Sequence, residues 1–174
     1  MKVVPIESLS KETQGLMDAV NNEPDFPCVL IISSFLDQCL VALLDRYFVA
    51  GSNSEHLLQG SLFRFSSRAR LCYSLGLIPH DLMSNLLTIA VIRNKFAHSY
   101  LSMTFEDEGV TTLCKALTYP HVHEYVGVNG TTGESLGTSD PWARFDSPRS
   151  RFTIVGVMAA SRIQLYALGT EHRI

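Results

Sequence analysis

The segment from Val29 to Leu44 is the most apolar stretch of the chain, and Asp37 and Gln38 interrupt it near its middle. Its apolar residues recur at helical spacing along two lines. One holds Val29, Ile32, Phe35 or Leu36, Cys39 and Leu43; the other holds Leu30, Ser34, Asp37, Val41 and Leu44. A helix with two apolar faces must be touched on several sides, so it belongs at the centre of a helical fold. The carboxylate and amide inside the run speak against a membrane span. The expected helix covers about Phe26 to Phe48, with Asp25 as its cap and Pro27 tolerated in its first turn.

Shorter helical patterns surround this one. A first helix is expected from about Ser10 to Val20, capped by Ser8 or Ser10. Gly51-Ser52-Asn53-Ser54 reads as a turn, and Glu55 to Gln59 as a short helix. Ser66 or Ser67 should cap a helix through Leu75, with Gly76 as its left-handed stop. Pro79 and Asp81 open a helix over about His80 to Ser99. Another, about Glu106 to Leu117, begins with acids that suit the helix dipole. Ser147 and Pro148 start a last helix to about Leu168, where Ile154, Val157, Met158, Ser161, Ile163, Leu165 and Leu168 should supply contacts. Between them, Tyr119 to Asp146 is rich in Gly, Thr, Ser and Asn, and Asn129-Gly130 could close a small hairpin. The fold class is therefore all-α: a compact bundle of about six or seven helices in one domain, 1–174, with an irregular loop or small hairpin before the last helix.

Composition narrows the function. Hydrophobic residues make up 46% and charged residues 18%, a globular balance with an apolar lean that fits an oligomer interface as well as a core. The net charge is -3, without the basic surplus of a dedicated nucleic-acid binder. No helix-turn-helix signal or basic recognition helix supports direct DNA binding. The N-terminus lacks the apolar segment of a secretory signal. Cys28, Cys39, Cys72 and Cys114 form no Cys-x-x-Cys and read as reduced core thiols, which points to the cytoplasm. No residue pattern calls for a metal or another cofactor.

The run Arg93-Asn94-Lys95-Phe96-Ala97-His98 is the one pointed chemical feature. On the expected helix, Leu82, Leu86, Ile89, Arg93, Phe96 and Tyr100 form one stripe, and Met83, Leu87, Ala90, Asn94 and Ala97 another. Arg93 and Asn94 thus stand where apolar residues are expected. A buried guanidinium needs a carboxylate, and Asp37 is the expected partner across the helix pair. Asn94 and His98 lie four apart and share a face. Arg93 and His98 are five apart, about 140° around an ideal helix. They converge only where the helix ends or distorts, or where a second copy of the chain supplies one of them. An imidazole that moves a proton and a guanidinium that stabilises a pentavalent phosphate would allow metal-free RNA cleavage. The plainer reading makes Arg93 a buried clamp and His98 a capping or interface residue.

Ile92-Arg93-Asn94-Lys95-Phe96-Ala97-His98 resembles the Arg-x4-6-His motif of HEPN domains, helical domains that often dimerise and include both ribonucleases and inactive binding modules. Three segments together point to one group. They are Phe35-Leu36-Asp37-Gln38-Cys39-Leu40, then Leu57-Leu58-Gln59-Gly60 through Phe65-Ser66-Ser67-Arg68-Ala69-Arg70-Leu71-Cys72-Tyr73-Ser74-Leu75-Gly76-Leu77-Ile78, then the Arg93 to His98 run. Their order and spacing resemble the mannitol operon repressor (MltR-like) family over about residues 25 to 118. Two places depart from that pattern. Gly60-Ser61-Leu62-Phe63-Arg64 stands where the family has a Gly-Pro-Leu-Gly-like turn, and the segment after Tyr119 is untypical. The resemblance implies a transcriptional repressor or modulator, a homodimer that acts through a protein partner, with RNA as the target only in the nuclease alternative.

Other features are weaker. Arg64, Arg68 and Arg70 form a small basic cluster that could touch phosphate or a partner, but Arg68 and Arg70 do not share a helical face, and a surface role or an ion-pair role is the plainer reading. Gly133-Glu134-Ser135-Leu136-Gly137 matches a hydrolase elbow but lacks the flanking strand and helix that the elbow requires. His121 and His123, with Glu124, read as solvated loop residues. Arg149 and Arg151 oppose the dipole of the last helix and call for acidic partners elsewhere.

Overall fold

The computed structural model describes residues 4–60, 62, 64–99, 102–118, 142 and 145–170. Among the described residues the fold is all-α, with seven α-helices and no strand: α1 Ile6–Asn21, α2 Asp25–Tyr47, α3 Ser52–Gln59, α4 Phe65–Ser74, α5 His80–His98, α6 Glu108–Ala116 and α7 Pro148–Gly169. The possible hairpin, His121, His123, Glu124 and the Gly133 to Gly137 run all lie outside the described residues.

Helix α2 is the centre, as its two apolar faces require. It packs against α1 and α7 on one side and α4 and α5 on the other, while α6 bridges α5 and α7. Eleven of its residues are buried, from Cys28 to Leu44. Both α2 and α7 are long and apolar enough, by length and composition alone, to cross a membrane. In this fold more than half of each apolar window is buried against the other helices. The aromatic rings of Phe96, Phe105 and Phe152 stack in series at 5.5 and 5.3 Å and join α5, the α5–α6 connection and α7.

Helix α7 turns a different face inward than its larger side chains suggest. Leu165 and Leu168 are exposed, and Ile154, Val157 and Met158 are only half-buried. The buried face is built from Phe152, Val155, Gly156, Ala159, Ala160, Ile163 and Ala167. Small residues let the backbones of α2 and α7 come close, so contact is gained by proximity rather than by side-chain length. Gly156 marks the tightest approach, since a Cβ there would overlap Ile32 Cγ2.

The helix ends follow local chemistry, with several shifts of boundary. Gly76 adopts φ +70° after α4. There Leu77 N–H donates to the Cys72 carbonyl at 2.8 Å and Gly76 N–H to the Tyr73 carbonyl at 2.9 Å, the paired bonds of a Schellman stop. Ser147 caps α7 by accepting the Ser150 N–H at 3.1 Å, with Pro148 in the first turn. Elsewhere the expected caps fall inside helices. Helix α1 starts after Pro5, so Ser8 and Ser10 are internal, and α3 already begins at Ser52. Helix α4 starts after Arg64, without a side-chain cap, and Ser66 and Ser67 lie in its first turn. Asp25 is the first residue of α2 rather than its cap. Its carboxylate accepts the Phe105 N–H at 3.0 Å and pairs with Arg149. Helix α6 begins two residues later than expected, because the Asp107 carboxylate takes the Thr104 N–H.

Buried polar groups tie the helices together. Arg162 of α7, almost fully buried, donates to both Asp81 oxygens at 2.6 and 3.4 Å at the start of α5. Burial works to raise the Asp81 carboxyl, but the Arg162 hydrogen bonds and charge, with backbone N–H groups of α5, outweigh it and hold it below its ordinary value. Asn85 makes three hydrogen bonds to Thr118 and anchors the exit of α6 on α5. All four cysteines are buried and free of disulfides. Burial pushes the thiols of Cys39, Cys72 and Cys114 up to about 12 and that of Cys28 to about 11, so they act as small apolar groups rather than nucleophiles.

Substitution of Gly156 tests the α2–α7 contact. Gly156→Ala is expected to cost about 1–3 kcal/mol in denaturant unfolding. Ile32→Ala removes the overlapping methyl, so the double variant should lose less than the sum of the two single losses. Strictly additive losses would mean that the helices do not meet at this point.

Candidate functional site

A concavity of about 530 Å³ lies where α2, α3, α4 and α5 meet. Asp37 enters from α2, Leu58 and Gln59 from α3, and Ala90, Arg93 and Asn94 from α5. Arg64 precedes α4, while Phe65, Ser66 and Arg68 occupy its first turn. The hollow thus gathers Asp37, Arg64, Arg68, Arg93 and Asn94, five of the seven residues that the sequence singles out.

Their pairing differs from the expected one. Asp37 meets Arg68 rather than Arg93: Arg68 Nη1 donates to Asp37 Oδ1 at 2.6 Å. Arg68 Nη2 donates to the Leu58 carbonyl at 2.9 Å, so one guanidinium ties α4 to both α2 and α3. Arg68 is only 2% exposed, and its Nε has no hydrogen-bond acceptor. The reason lies in the stripe Phe65, Arg68, Ala69, Cys72, the buried face of α4. Arg68 takes a core position at i+3 and is carried inward to the carboxylate on α2. That periodicity is readable in the sequence; the neighbouring Arg64 and Arg70 instead give the appearance of a surface cluster.

Arg93 is half-buried and borders the hollow from α5, without an ion pair or hydrogen bond among the described residues. It is therefore not the core clamp that its stripe implies. Arg64 is exposed and also borders the hollow. Arg70 is exposed and lies outside it, which separates it from Arg68 as their spacing requires. Three guanidiniums thus face one carboxylate, already engaged by Arg68. Of the two arginines at the start of α7, only Arg149 meets the expected acid among the described residues. Arg149 pairs with Asp25, and Arg151 lies over the Trp142 ring at 4.5 Å to its centroid.

Helix α5 continues unbroken through His98, its last residue. His98 is exposed and opens onto a second, shallower hollow with Val91, Asn94, Lys95, Ser99 and Met103. Asn94 borders both hollows and shares the second with His98, but no hydrogen bond joins the two side chains among the described residues. Arg93 and His98 consequently address different spaces on one chain. No group of three or more His, Cys, Asp and Glu arranged to hold a metal occurs among the described residues.

Comparison with protein-family models, with curated proteins and with solved structures finds no match for the chain.

Arginine accessibility provides a direct check. Under phenylglyoxal, Arg64, Arg70 and Arg93 are expected to react in the folded protein, while Arg68 and Arg162 stay protected until unfolding. Peptide mass mapping reads each site. Early modification of Arg68, or protection of Arg93, would contradict the pairing described above.

Proposed function

We propose that this chain is a regulatory protein of the kind that the mannitol operon repressor resemblance implies, a transcriptional repressor or modulator acting through protein contacts in the cytoplasm. The observation that favours this over an RNA-cleaving role is the unbroken α5. It sends Arg93 and His98 into separate hollows, and a general acid–base pair must reach the same phosphodiester. The contact surface in this reading is the outer face of α5. Val91 is 46% exposed there, Ala97 is exposed, and the Met103 side chain borders the same hollow as His98. A second copy of the chain is the first partner proposed for this face, with a further protein partner carrying the regulation.

The alternative is a HEPN-type endoribonuclease that needs no metal. It is favoured by Asn94, which borders both hollows and leaves Arg93 and His98 on either side of one ridge of α5. Two copies meeting along that ridge would let His98 of one protomer approach Arg93 of the other.

Deletion of the chain from its host, followed by transcript profiling, separates the two readings. Transcripts of a specific operon should change and be restored equally by the wild type and by His98→Ala. Purified protein should leave RNA intact in EDTA. Cleavage in EDTA that His98→Ala abolishes would replace regulation with the nuclease. Unchanged transcripts would remove the regulatory reading.

A further inference from the structure

Independently of the regulatory reading, we propose that the hollow between α2, α3, α4 and α5 is a binding site for the phosphoryl group of a small organic phosphate. Charge is the first argument. The chain is net negative, yet Arg64, Arg68 and Arg93 converge on this hollow with a single carboxylate. Arg46, Arg149 and Arg162 each meet a carboxylate, whereas Arg64 and Arg93 have none among the described residues. A dianion would supply the missing counter-charge, and a guanidinium is the side chain best matched to phosphate oxygens.

The second argument is the buried and unpartnered Nε of Arg68. A donor without an acceptor in a dry site carries a desolvation cost, and Arg68 itself lines the hollow in which an anion would stand. The third is the start of α4. Its N-cap is Arg64, whose side chain offers no cap, and the Phe65 and Ser66 N–H groups have no acceptor among the described residues. These are the positive end of a helix dipole, and both residues line the hollow. Donors from a helix end and from Arg64 and Arg93, beside the charge of Arg68, suit a phosphoryl group better than a carboxylate, which one guanidinium satisfies.

Size and lining set the rest of the ligand. A volume of about 530 Å³ exceeds what a bare phosphate fills and lies in the range of small-molecule sites. Gln59 and Asn94 offer hydrogen bonds to polar substituents, and Leu58 and Ala90 an apolar wall. Arg64, Arg68 and Arg93 share this one concavity, while Arg70 lies outside it.

Thermal-shift titration at fixed ionic strength, with glycerol 3-phosphate, inorganic phosphate and glycerol as probes, tests the site. A saturable rise in Tm is expected with both phosphates and none with glycerol. Arg93→Met and, separately, Arg64→Met should weaken the apparent affinity by at least about tenfold. Arg93→Lys should retain part of it, and Arg70→Met should leave it unchanged. Circular dichroism without ligand confirms that each variant folds. The proposal is overturned if neither phosphate gives a saturable shift, or if wild type and Arg93→Met respond alike. It is also overturned if a single-stranded oligoribonucleotide binds more tightly than glycerol 3-phosphate and Arg70→Met weakens that binding, which would mark a surface nucleic-acid contact.

Discussion

The structure depends on covering α2 from several sides. A helix apolar on two faces gains stability only when several neighbours cover it together, so α1, α4, α5 and α7 must all assemble against it. Asp37 is the exception inside that run. A carboxylate at the edge of such a core is tolerated only with a cation and further donors beside it. Arg68 supplies the cation, and in doing so fixes the position of α4 and, through the Leu58 carbonyl, of α3. The small residues of α7 solve the opposite side, where Gly156 lets the helix backbones close up.

This arrangement has consequences for chemistry. Once Arg68 occupies Asp37, Arg93 borders the hollow as an uncompensated cation instead of a buried clamp. The same geometry divides α5 into two functional faces, one turned to the arginine-lined hollow and one ending at His98. A single chain therefore holds the groups of an Arg-x4-His motif without focusing them on one point. Binding and contact roles fit this layout more economically than catalysis, and the proposed phosphoryl site gives the arginines a purpose that does not involve the histidine.

Much of the architecture was legible from periodicity. The central place of α2, the Gly76 stop, the Ser147 cap and the span of α5 all follow from local rules that tertiary packing did not override. Helix starts were less legible: Ser8, Ser10, Ser66 and Ser67 have the chemistry of caps, yet packing extends the helices past them. In α7, side-chain size was misleading, because close approach favours Gly and Ala over Leu165 and Leu168. At the site, the gathering of Asp37 and Arg93 around one space was readable, but the partner of Asp37 was not. Pairing depends on which helix stands between two stripes, and single-helix periodicity carries no information about that. The clue lay in Arg68 at a core position of α4, masked by two exposed arginines nearby.

The pairing of Asp37 is best tested by double-mutant cycles on unfolding free energy. With Asp37→Asn combined in turn with Arg68→Met and Arg93→Met, the Arg68 cycle should show a coupling of about 1.5–3 kcal/mol and the Arg93 cycle less than about 0.5 kcal/mol. A strong coupling to Arg93 with none to Arg68 would contradict the structure at the interaction from which both the hollow and the division of α5 follow.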